Sequence, residues 1–321
     1  SIQGADIIFN LSASNEIVSK NNYRKSLIIN QSGRCIAAYV YAAAGIDEST
    51  TDLVFSGACF IAENGTLLSE SKRFSLENEL IINDIDVAAL RNERIKKNQS
   101  LSLNYNDCLH VYCKTESISD FGNIFRQLDP HPFIPHSHQE DEVLDDVFNI
   151  QIHALAKRLK HTGSKTITLG ISGGLDSTLA LLVVIKTFDL LNIPRENIHA
   201  ITMPGFGTTD RTYQNANLLM KSTGVTIKEI SIVESVVQHL KDIDHDINQH
   251  DIILENSQAR ERTQILMDYA NKIGGMVLGT GNLSELALGW ATYNGDHMSM
   301  YAVNAGVPKT LVASLVRWIA K

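Results

Sequence analysis

The sequence predicts an α/β protein of two domains, of which the second is a doubly wound parallel sheet. Its 321 residues are too many for one comfortable hydrophobic core, so two domains are expected. A proline-rich stretch interrupts the chain at residues 129–142. After that stretch, short apolar strands alternate with amphipathic helices, which is the order of βαβ units with helices on both faces of the sheet.

The part that precedes the prolines, residues 1–128, is predicted to form strands with two helices. The predicted strands cover residues 5–10 and 37–41, and a pair of strands lies around residues 59–68. Asn64 and Gly65 supply the hairpin turn of that pair, because both residues tolerate positive φ. Predicted helices cover residues 20–32 and 86–97.

Residues 129–142 are interpreted as a linker. They hold three of the six prolines of the chain, and proline blocks regular backbone pairing. A metal-binding tract of His131, His136 and His138 is the alternative. The linker is favoured, because no Cys, Asp or second His cluster is placed to complete a tetrahedral shell.

A helical period begins after the linker, and the second domain is assigned to residues 143–321. One face of its first helix carries Leu144, Phe148, Ile152, Leu155 and Leu159. The strands that follow are predicted at 166–171, 198–203, 225–230 and 276–279, and the helices at 177–191, 211–222 and 257–273. A functional site is expected at the carboxyl ends of these strands.

Composition favours small-molecule chemistry. With 28 Lys and Arg against 36 Asp and Glu, the formal charge of −8 does not suggest a nucleic-acid partner. The four cysteines show neither zinc spacing nor a disulfide framework, which fits a reducing cytoplasm. Neither an apolar run of 18 residues nor a basic leader is present, so we expect a soluble cytoplasmic protein with no membrane partner.

The strongest motif is Gly170-Ile-Ser-Gly-Gly-Leu-Asp-Ser177, between a predicted strand and a predicted helix. Glycines at such a turn let the backbone approach a phosphate, and the first N–H groups of the helix point at the anion. Asp176 would repel phosphate unless a cation lay between them, so it implies Mg²⁺. A Gly-Gly helix entry capped by Asp or Ser is the alternative. The candidate ATP-binding residues of the motif are Gly170, Ile171, Ser172, Gly173, Gly174, Leu175, Asp176 and Ser177.

This motif resembles the Ser-Gly-Gly-x-Asp-Ser loop of the ATP pyrophosphatases, whose domain is adenine nucleotide alpha hydrolase-like. The motif alone does not choose among NAD synthetase, GMP synthetase, asparagine synthetase and tRNA-thiolating enzymes. Three later segments resemble NAD synthetase: residues 255–267, residues 278–296, and Asn304-Ala-Gly-Val-Pro-Lys309.

The resemblance implies roles for the residues that match. Thr280 would contact ATP. Glu285 would either reach a metal position, where Asp176 is the other candidate ligand, or contact the dinucleotide. The implied deamido-NAD contacts are Asn256, Arg260, Glu285, Trp290, Ala291, Thr292 and Tyr293. Asp296 and Lys309 are weaker candidates, since the site could use only their backbone. The alternatives are a solvated helix face for Arg260 and Arg262 and a core position for Trp290 and Tyr293.

The first part of the chain resembles the later half of a nitrilase-like glutaminase domain, an α/β sandwich. The matching segments are residues 10–14, 39–45 and 48–53. In that family a Glu, Lys and Cys triad precedes these segments, so the triad would lie upstream of residue 1 and no catalytic residue is identifiable here. Ser14 and Lys20 are the implied glutamine contacts. Cys35 is interpreted as a structural thiol and not as a substitute nucleophile.

Taken together, the resemblance implies a glutamine-dependent NAD synthetase whose two domains are incomplete at the two ends of the chain. Such an enzyme amidates deamido-NAD with ATP and Mg²⁺ through an adenylated intermediate, and glutamine supplies the ammonia. The expected assembly is a homo-oligomer. Two alternatives stay open, namely another ATP-pyrophosphatase amidoligase and an inactive nucleotide-binding fragment.

Overall fold

The computed structural model describes residues 4–97, 109–114, 122–135, 140–206 and 210–321. The chain divides into two compact units, Ser1–Asp129 and Pro130–Lys321, called the first and second units below. Of the three histidines discussed as a metal tract, His136 and His138 lie outside the described residues. In the described part of the chain, no helix is long and apolar enough to cross a membrane.

The first unit contains one four-stranded sheet. Its elements are β1 (Ile7–Ser12), α1 (Lys20–Cys35), β2 (Ala38–Ala43), β3 (Cys59–Glu63), β4 (Thr66–Glu70) and α2 (Val87–Lys96). The strand order is β1-β2-β3-β4, with β1 parallel to β2 and the other pairs antiparallel. β1 and β2 each end two residues later than predicted, because their parallel pairing continues to Ser12 and Ala43.

The predicted hairpin is confirmed between β3 and β4. Asn64 and Gly65 have φ values of 46° and 86°, the left-handed pair that a two-residue turn requires. Two apolar clusters then hold the helices to the sheet. Ile28 of α1 packs with Tyr41 and Phe60, and Leu90 of α2 packs with Ile36 and Ala38.

The second unit is longer, and the first of its elements is a helix. Its elements are α3 (Glu140–Thr162), β5 (Ile167–Gly170), α4 (Leu175–Leu191), β6 (Ile198–Thr202), α5 (Asp210–Thr223), β7 (Thr226–Glu229), α6 (Val233–Asp242), α7 (Ile252–Ile273), β8 (Met276–Gly279), α8 (Leu283–Leu288), β9 (Tyr301–Ala302) and α9 (Lys309–Ile319). α3 already includes residues 140–142, the last three of the predicted linker.

The predicted doubly wound parallel sheet is confirmed. The strand order is β7-β6-β5-β8-β9, and all four neighbouring pairs are parallel. From β5 the chain continues to β6 on one side, whereas β8 lies on the other side. The order therefore reverses between β5 and β8, and the loops after these two strands diverge to leave a crevice.

Helices cover both faces of this sheet. The larger cluster joins β5 to α3, α4, α5 and α9, and the predicted apolar face of α3 is confirmed as buried within it. The smaller cluster joins Ile201 and Met203 to α6 and to Leu254 of α7. α7 begins five residues before its predicted start, because Asp251 caps it by accepting from the N–H groups of Ile253 and Leu254.

Candidate active site

The crevice at the carboxyl ends of β5, β6 and β8 holds a cavity of about 650 Å³. The loops after the three strands and the buried side of α7 line it. Of the predicted site residues, the structure brings Gly170, Ile171, Ser172, Gly174, Asp176, Ser177, Thr280 and Glu285 to this cavity. The weaker candidate Asp296 also lies on its wall. The cavity therefore lies at the edge of the sheet where the βαβ pattern predicts a functional site.

The loop from Ile171 to Gly174 turns the chain sharply from β5 into α4. Gly173 has φ 82°, and a Cβ at this position would overlap the carbonyl oxygen of Thr212 in α5, so only glycine fits. Gly174 is the N-cap of α4 and has no side chain to cap it. The N–H groups of the first helical turn are therefore available to an anion in the cavity.

Hydroxyl groups surround the same turn. The Ser172 Oγ accepts a hydrogen bond from the Gly174 N–H at 3.3 Å, and it lies 3.3 Å from the Ser177 Oγ. Ser177 donates to the Gly174 carbonyl oxygen. α4 begins two residues earlier than predicted, so Asp176 and Ser177 are both in its first turn. The backbone donors and these hydroxyl groups form a cradle of the kind that phosphate groups occupy.

Asp176 is the most connected carboxylate of the cavity. Its Oδ1 accepts from the Asn282 Nδ2 at 3.0 Å, and its Oδ2 accepts from the Lys309 Nζ. The same ammonium lies 3.9 Å from the Glu285 Oε1. The Lys309 ammonium therefore lies between the two predicted metal ligands and offsets part of their negative charge.

Glu285 is held by the start of α8. In a capping box, its Oε2 accepts from the Asn282 N–H, and the Asn282 Oδ1 accepts from the Glu285 N–H. The Oε1 of Glu285 remains directed at Lys309 and so toward Asp176. Two carboxylates that share one ammonium suit a hard cation such as Mg²⁺, which binds one or two carboxylates plus phosphate oxygens. In the described part of the chain, no cluster of three His, Cys, Asp or Glu residues suggests a metal site held by protein alone.

A buried chain of side-chain amides fixes the walls of the cavity. Asn304 is fully buried, and its Nδ2 donates to the carbonyl oxygens of Asp176 at 2.9 Å and Thr280 at 3.1 Å. Its Oδ1 accepts from the Gln151 Nε2 of α3, which also donates to the Val303 carbonyl oxygen. One network thereby joins the start of α4, the loop after β8, the residues after β9, and α3.

The predicted deamido-NAD residues lie where α7 meets the loop 289–300. The Thr292 Oγ1 donates to the Asn256 Oδ1 at 2.8 Å, and the Arg260 Nε donates to the Tyr293 carbonyl oxygen at 3.1 Å. Ala291 is exposed in the same loop. The alternative of a core position is wrong for Trp290 and Tyr293, whose side chains are 79% and 76% exposed. Their rings are open to stacking by a ligand.

In the first unit, the predicted glutamine contacts lie near the start of α1: Ser14 precedes the helix, and Lys20 is its first residue. The Lys20 Nζ donates to the carbonyl oxygen of Asn15, and the Ser14 carbonyl oxygen accepts from Arg24. Glu16 anchors the segment through Arg24 at 2.5 Å and through the hydroxyl of Ser56. Burial would raise the pKa of Glu16, but Ser56, Arg24 and Arg73 outweigh burial and hold it below its usual value.

Cys35 lies in the last turn of α1, where its Sγ accepts from the Gln31 side chain one turn earlier. This contact lies within a helix that packs on the sheet. It agrees with the interpretation of Cys35 as a structural thiol.

Sequence reasoning assigned no role to three side chains that line or support the cavity, although Arg262 was considered beside Arg260. Gln258 and Arg262, one turn apart on α7, line the cavity, and Arg262 is half-buried and not on a solvated helix face. Asn282 is buried at the start of α8. A polar pair four residues apart on the apolar side of a helix was the available signal for the first two. For Asn282, the signal was an Asn three residues before a Glu.

Comparison with known proteins shows the family to which this chain is similar. A family model described as NAD synthase matches residues 147–320. A glutamine-dependent NAD(+) synthetase of Mycobacterium leprae is 41% identical over 333 residues, covering 99% of this chain and 48% of the relative. Another, from Thermotoga maritima, is 30% identical over 326 residues, covering 98% of this chain and 52% of the relative. The chain thus spans about half the length of the curated relatives it matches.

Solved structures show the same similarity. The glutamine-dependent NAD+ synthetase from Acinetobacter baumannii in complex with ADP has a TM-score of 0.51 at 25% identity, covering 98% of this chain and 51% of that chain. The NH3-dependent NAD synthetase from Campylobacter jejuni has a TM-score of 0.50 at 25% identity, covering 56% of this chain and 74% of that chain.

Proposed function

Because the chain belongs to the NAD synthase family, we propose that the second unit binds ATP and deamido-NAD and amidates the nicotinate carboxylate to give NAD. The observation that carries this proposal is the cavity at the β5/β8 reversal. It combines a phosphate-binding turn, two carboxylates that share Lys309, and a neighbouring loop with two exposed aromatic rings.

The proposed reaction has two displacements. In the first, a carboxylate oxygen of deamido-NAD attacks the α-phosphorus of ATP, the bond to the β-phosphate oxygen breaks, and pyrophosphate leaves. In the second, ammonia attacks the acyl carbon, AMP leaves with the bonding electron pair, and the nitrogen loses a proton to solvent. The protein contributes position and charge neutralisation and no covalent nucleophile.

Residues in and around the cavity have different roles in this reaction. The N–H groups after Gly174 and the hydroxyls of Ser172 and Ser177 hold phosphate oxygens, and Thr280 contacts ATP from the opposite loop. Asp176 and Glu285 would hold Mg²⁺, which neutralises the charge that develops on the phosphate oxygens. The deamido-NAD contacts proposed are Asn256, Arg260, Trp290, Ala291, Thr292 and Tyr293.

The first unit is proposed to belong to a nitrilase-like glutaminase domain. Ser14 and Lys20 would contact glutamine, and the ammonia released would serve the second unit. Glu16 and Arg24 support this proposal, because Arg24 joins the segment that carries Ser14 to α1, whose first residue is Lys20.

The proposed setting is a homo-oligomer in the cytoplasm that acts on small molecules. The spacing of the four cysteines supports a reducing compartment, because it is that of neither a zinc site nor a disulfide framework. Light scattering of the full-length protein would measure the oligomeric state, and a monomer would contradict that part of the proposal.

A stoichiometric assay tests the reaction. The full-length protein is given ATP, Mg²⁺, deamido-NAD and either glutamine or ammonium, and NAD, AMP and pyrophosphate are quantified. We expect the three products in equal amounts. Xanthosine monophosphate is the control substrate. Amidation of xanthosine monophosphate in place of deamido-NAD would assign the chain to another amidoligase.

A further inference from the structure

Arg262 is a half-buried cation on the wall of the cavity, in the middle of α7. Its Nε donates to the carbonyl oxygen of Met203 at 3.2 Å, just beyond β6. In the described part of the chain, no carboxylate forms an ion pair with it within 4.0 Å. Burial lowers the pKa of Arg262, and the charge of Asp296, on the same cavity wall, acts against that shift.

The guanidinium is held in place by the turn that follows β6. A Cβ at Gly205 would lie 2.9 Å from the Arg262 Nη2 and would overlap the Gln258 Oε1, so the backbone of this turn packs directly on both side chains. The Gln258 Oε1 also accepts from the Phe206 N–H at 3.0 Å. Arg262 therefore has little freedom to swing into solvent.

Two arginines on the same helix have different surroundings. Arg260 donates to the Tyr293 carbonyl oxygen in the loop 289–300, and its own side chain is exposed. Arg262 binds the turn after β6 through one of its five N–H groups, which leaves the Nη groups for a further acceptor. The helix thus presents one cation to the exposed loop and another to the cavity.

A partly desolvated guanidinium with no carboxylate in ion-pair contact is costly unless an anion completes its surroundings. The planar fork of Arg suits phosphate oxygens in particular. We propose that Arg262 binds a phosphate oxygen of the adenine nucleotide in the cavity. This assignment rests on the proposed function and adds a substrate-binding residue to it.

Equilibrium binding to the full-length protein tests the assignment. Arg262→Met is compared with the wild type for AMP, ATP and adenosine by calorimetry without metal. We expect AMP and ATP to bind about tenfold or more weakly, as for the loss of one charge-assisted hydrogen bond, and adenosine to bind unchanged. Lys272→Met is the matched control, because it removes the same charge from an exposed position near the end of α7.

Chemical modification tests the same claim without a substitution, which covers the case in which Arg262→Met does not fold. Phenylglyoxal labelling of the wild type is followed at Arg262 by mass spectrometry, and AMP should protect this residue whereas adenosine should not. A folded Arg262→Met protein that binds AMP like the wild type, or labelling that AMP does not change, would overturn this assignment alone. A wild type that binds neither ATP nor AMP would overturn the proposed function as well.

Discussion

Gly173 occupies a left-handed conformation with the backbone of α5 directly against it. Gly163, after α3, is also left-handed with φ 71°, but a Cβ there would meet nothing within 4 Å. Alanine substitutions at the two glycines therefore separate the free-energy cost of a side chain at positive φ from the cost of its steric contact with α5. We expect Gly163→Ala to lower the free energy of unfolding by about 1 kcal/mol. Gly173→Ala should lower it by roughly 3 kcal/mol or more, because α5 must also move.

Urea unfolding of the two variants measures this difference, and the ATP-dependent activity should fall only in Gly173→Ala. Equal losses of stability would show that the contact with the Thr212 carbonyl oxygen is unimportant. The proposed phosphate-binding turn would then need glycine only for its φ angle.

Asp176 is the residue on which the metal-dependent part of the proposed function rests. Asp176→Asn keeps the size of the side chain and an acceptor for Asn282, but it removes the charge that would hold Mg²⁺. We expect kcat/KM for NAD formation to fall on the order of 100-fold, with the free energy of unfolding nearly unchanged. Asp189→Asn is the matched control, since Asp189 lies on the same helix in a surface pair with Arg195. Unchanged activity at limiting Mg²⁺ in Asp176→Asn would refute the role.

At the scale of single elements, α7 carries much of the site, and its start is set by one side chain. Asp251 accepts from the N–H groups of Ile253 and Leu254, one turn before Asn256. We expect Asp251→Ala to destabilise the second unit by about 1 kcal/mol and to increase amide hydrogen exchange at residues 252–255. Asp86→Ala removes the corresponding cap of α2 in the first unit, where Asp86 accepts from Ala89. It should leave exchange in α7 unchanged.

Elements with local signals could be predicted from the sequence. The apolar spacing of α3 and the Asn64-Gly65 turn depend on residues close in sequence, and both are confirmed. α6 was missed because its N-cap is Ile232, which supplies no side-chain cap, so the usual start signal is absent. β9 has two residues and pairs only with β8 in the described sheet. A strand that short has no periodicity to detect.

The candidate site also has one part that local sequence predicts and another part that depends on distant residues. The glycine-rich turn could be recognised as a candidate because its residues are consecutive, and the structure brings six of the eight to the cavity, all but Gly173 and Leu175. Its role in binding phosphate stays a proposal. The surroundings of Arg262 depend on Met203 and Gly205, more than fifty residues away in sequence, and such packing is decided by tertiary structure. The position of Lys309 between Asp176 and Glu285 depends in the same way on distant elements.

At the scale of the whole molecule, the division into two compact units predicts separable activities. The gene product from Pro130 to its natural C-terminus should keep ammonia-dependent NAD synthesis and lose glutamine-dependent synthesis, because it keeps every proposed ATP and deamido-NAD contact. Both rates are measured against the full-length protein. A folded truncation that lacks both activities would mean that the first unit helps to build the second site.

The amide network around Asn304 has a thermodynamic consequence. Asn304 and Gln151, whose side chains are buried, join α3 to the backbone at Asp176, Thr280 and Val303 through four hydrogen bonds. The conformational entropy of these loops is therefore lost when the chain folds and not when the nucleotide arrives. Association then carries a smaller ordering penalty, so the same contacts give a higher affinity. The folding free energy of the second unit therefore offsets part of the entropy loss that substrate binding would otherwise require.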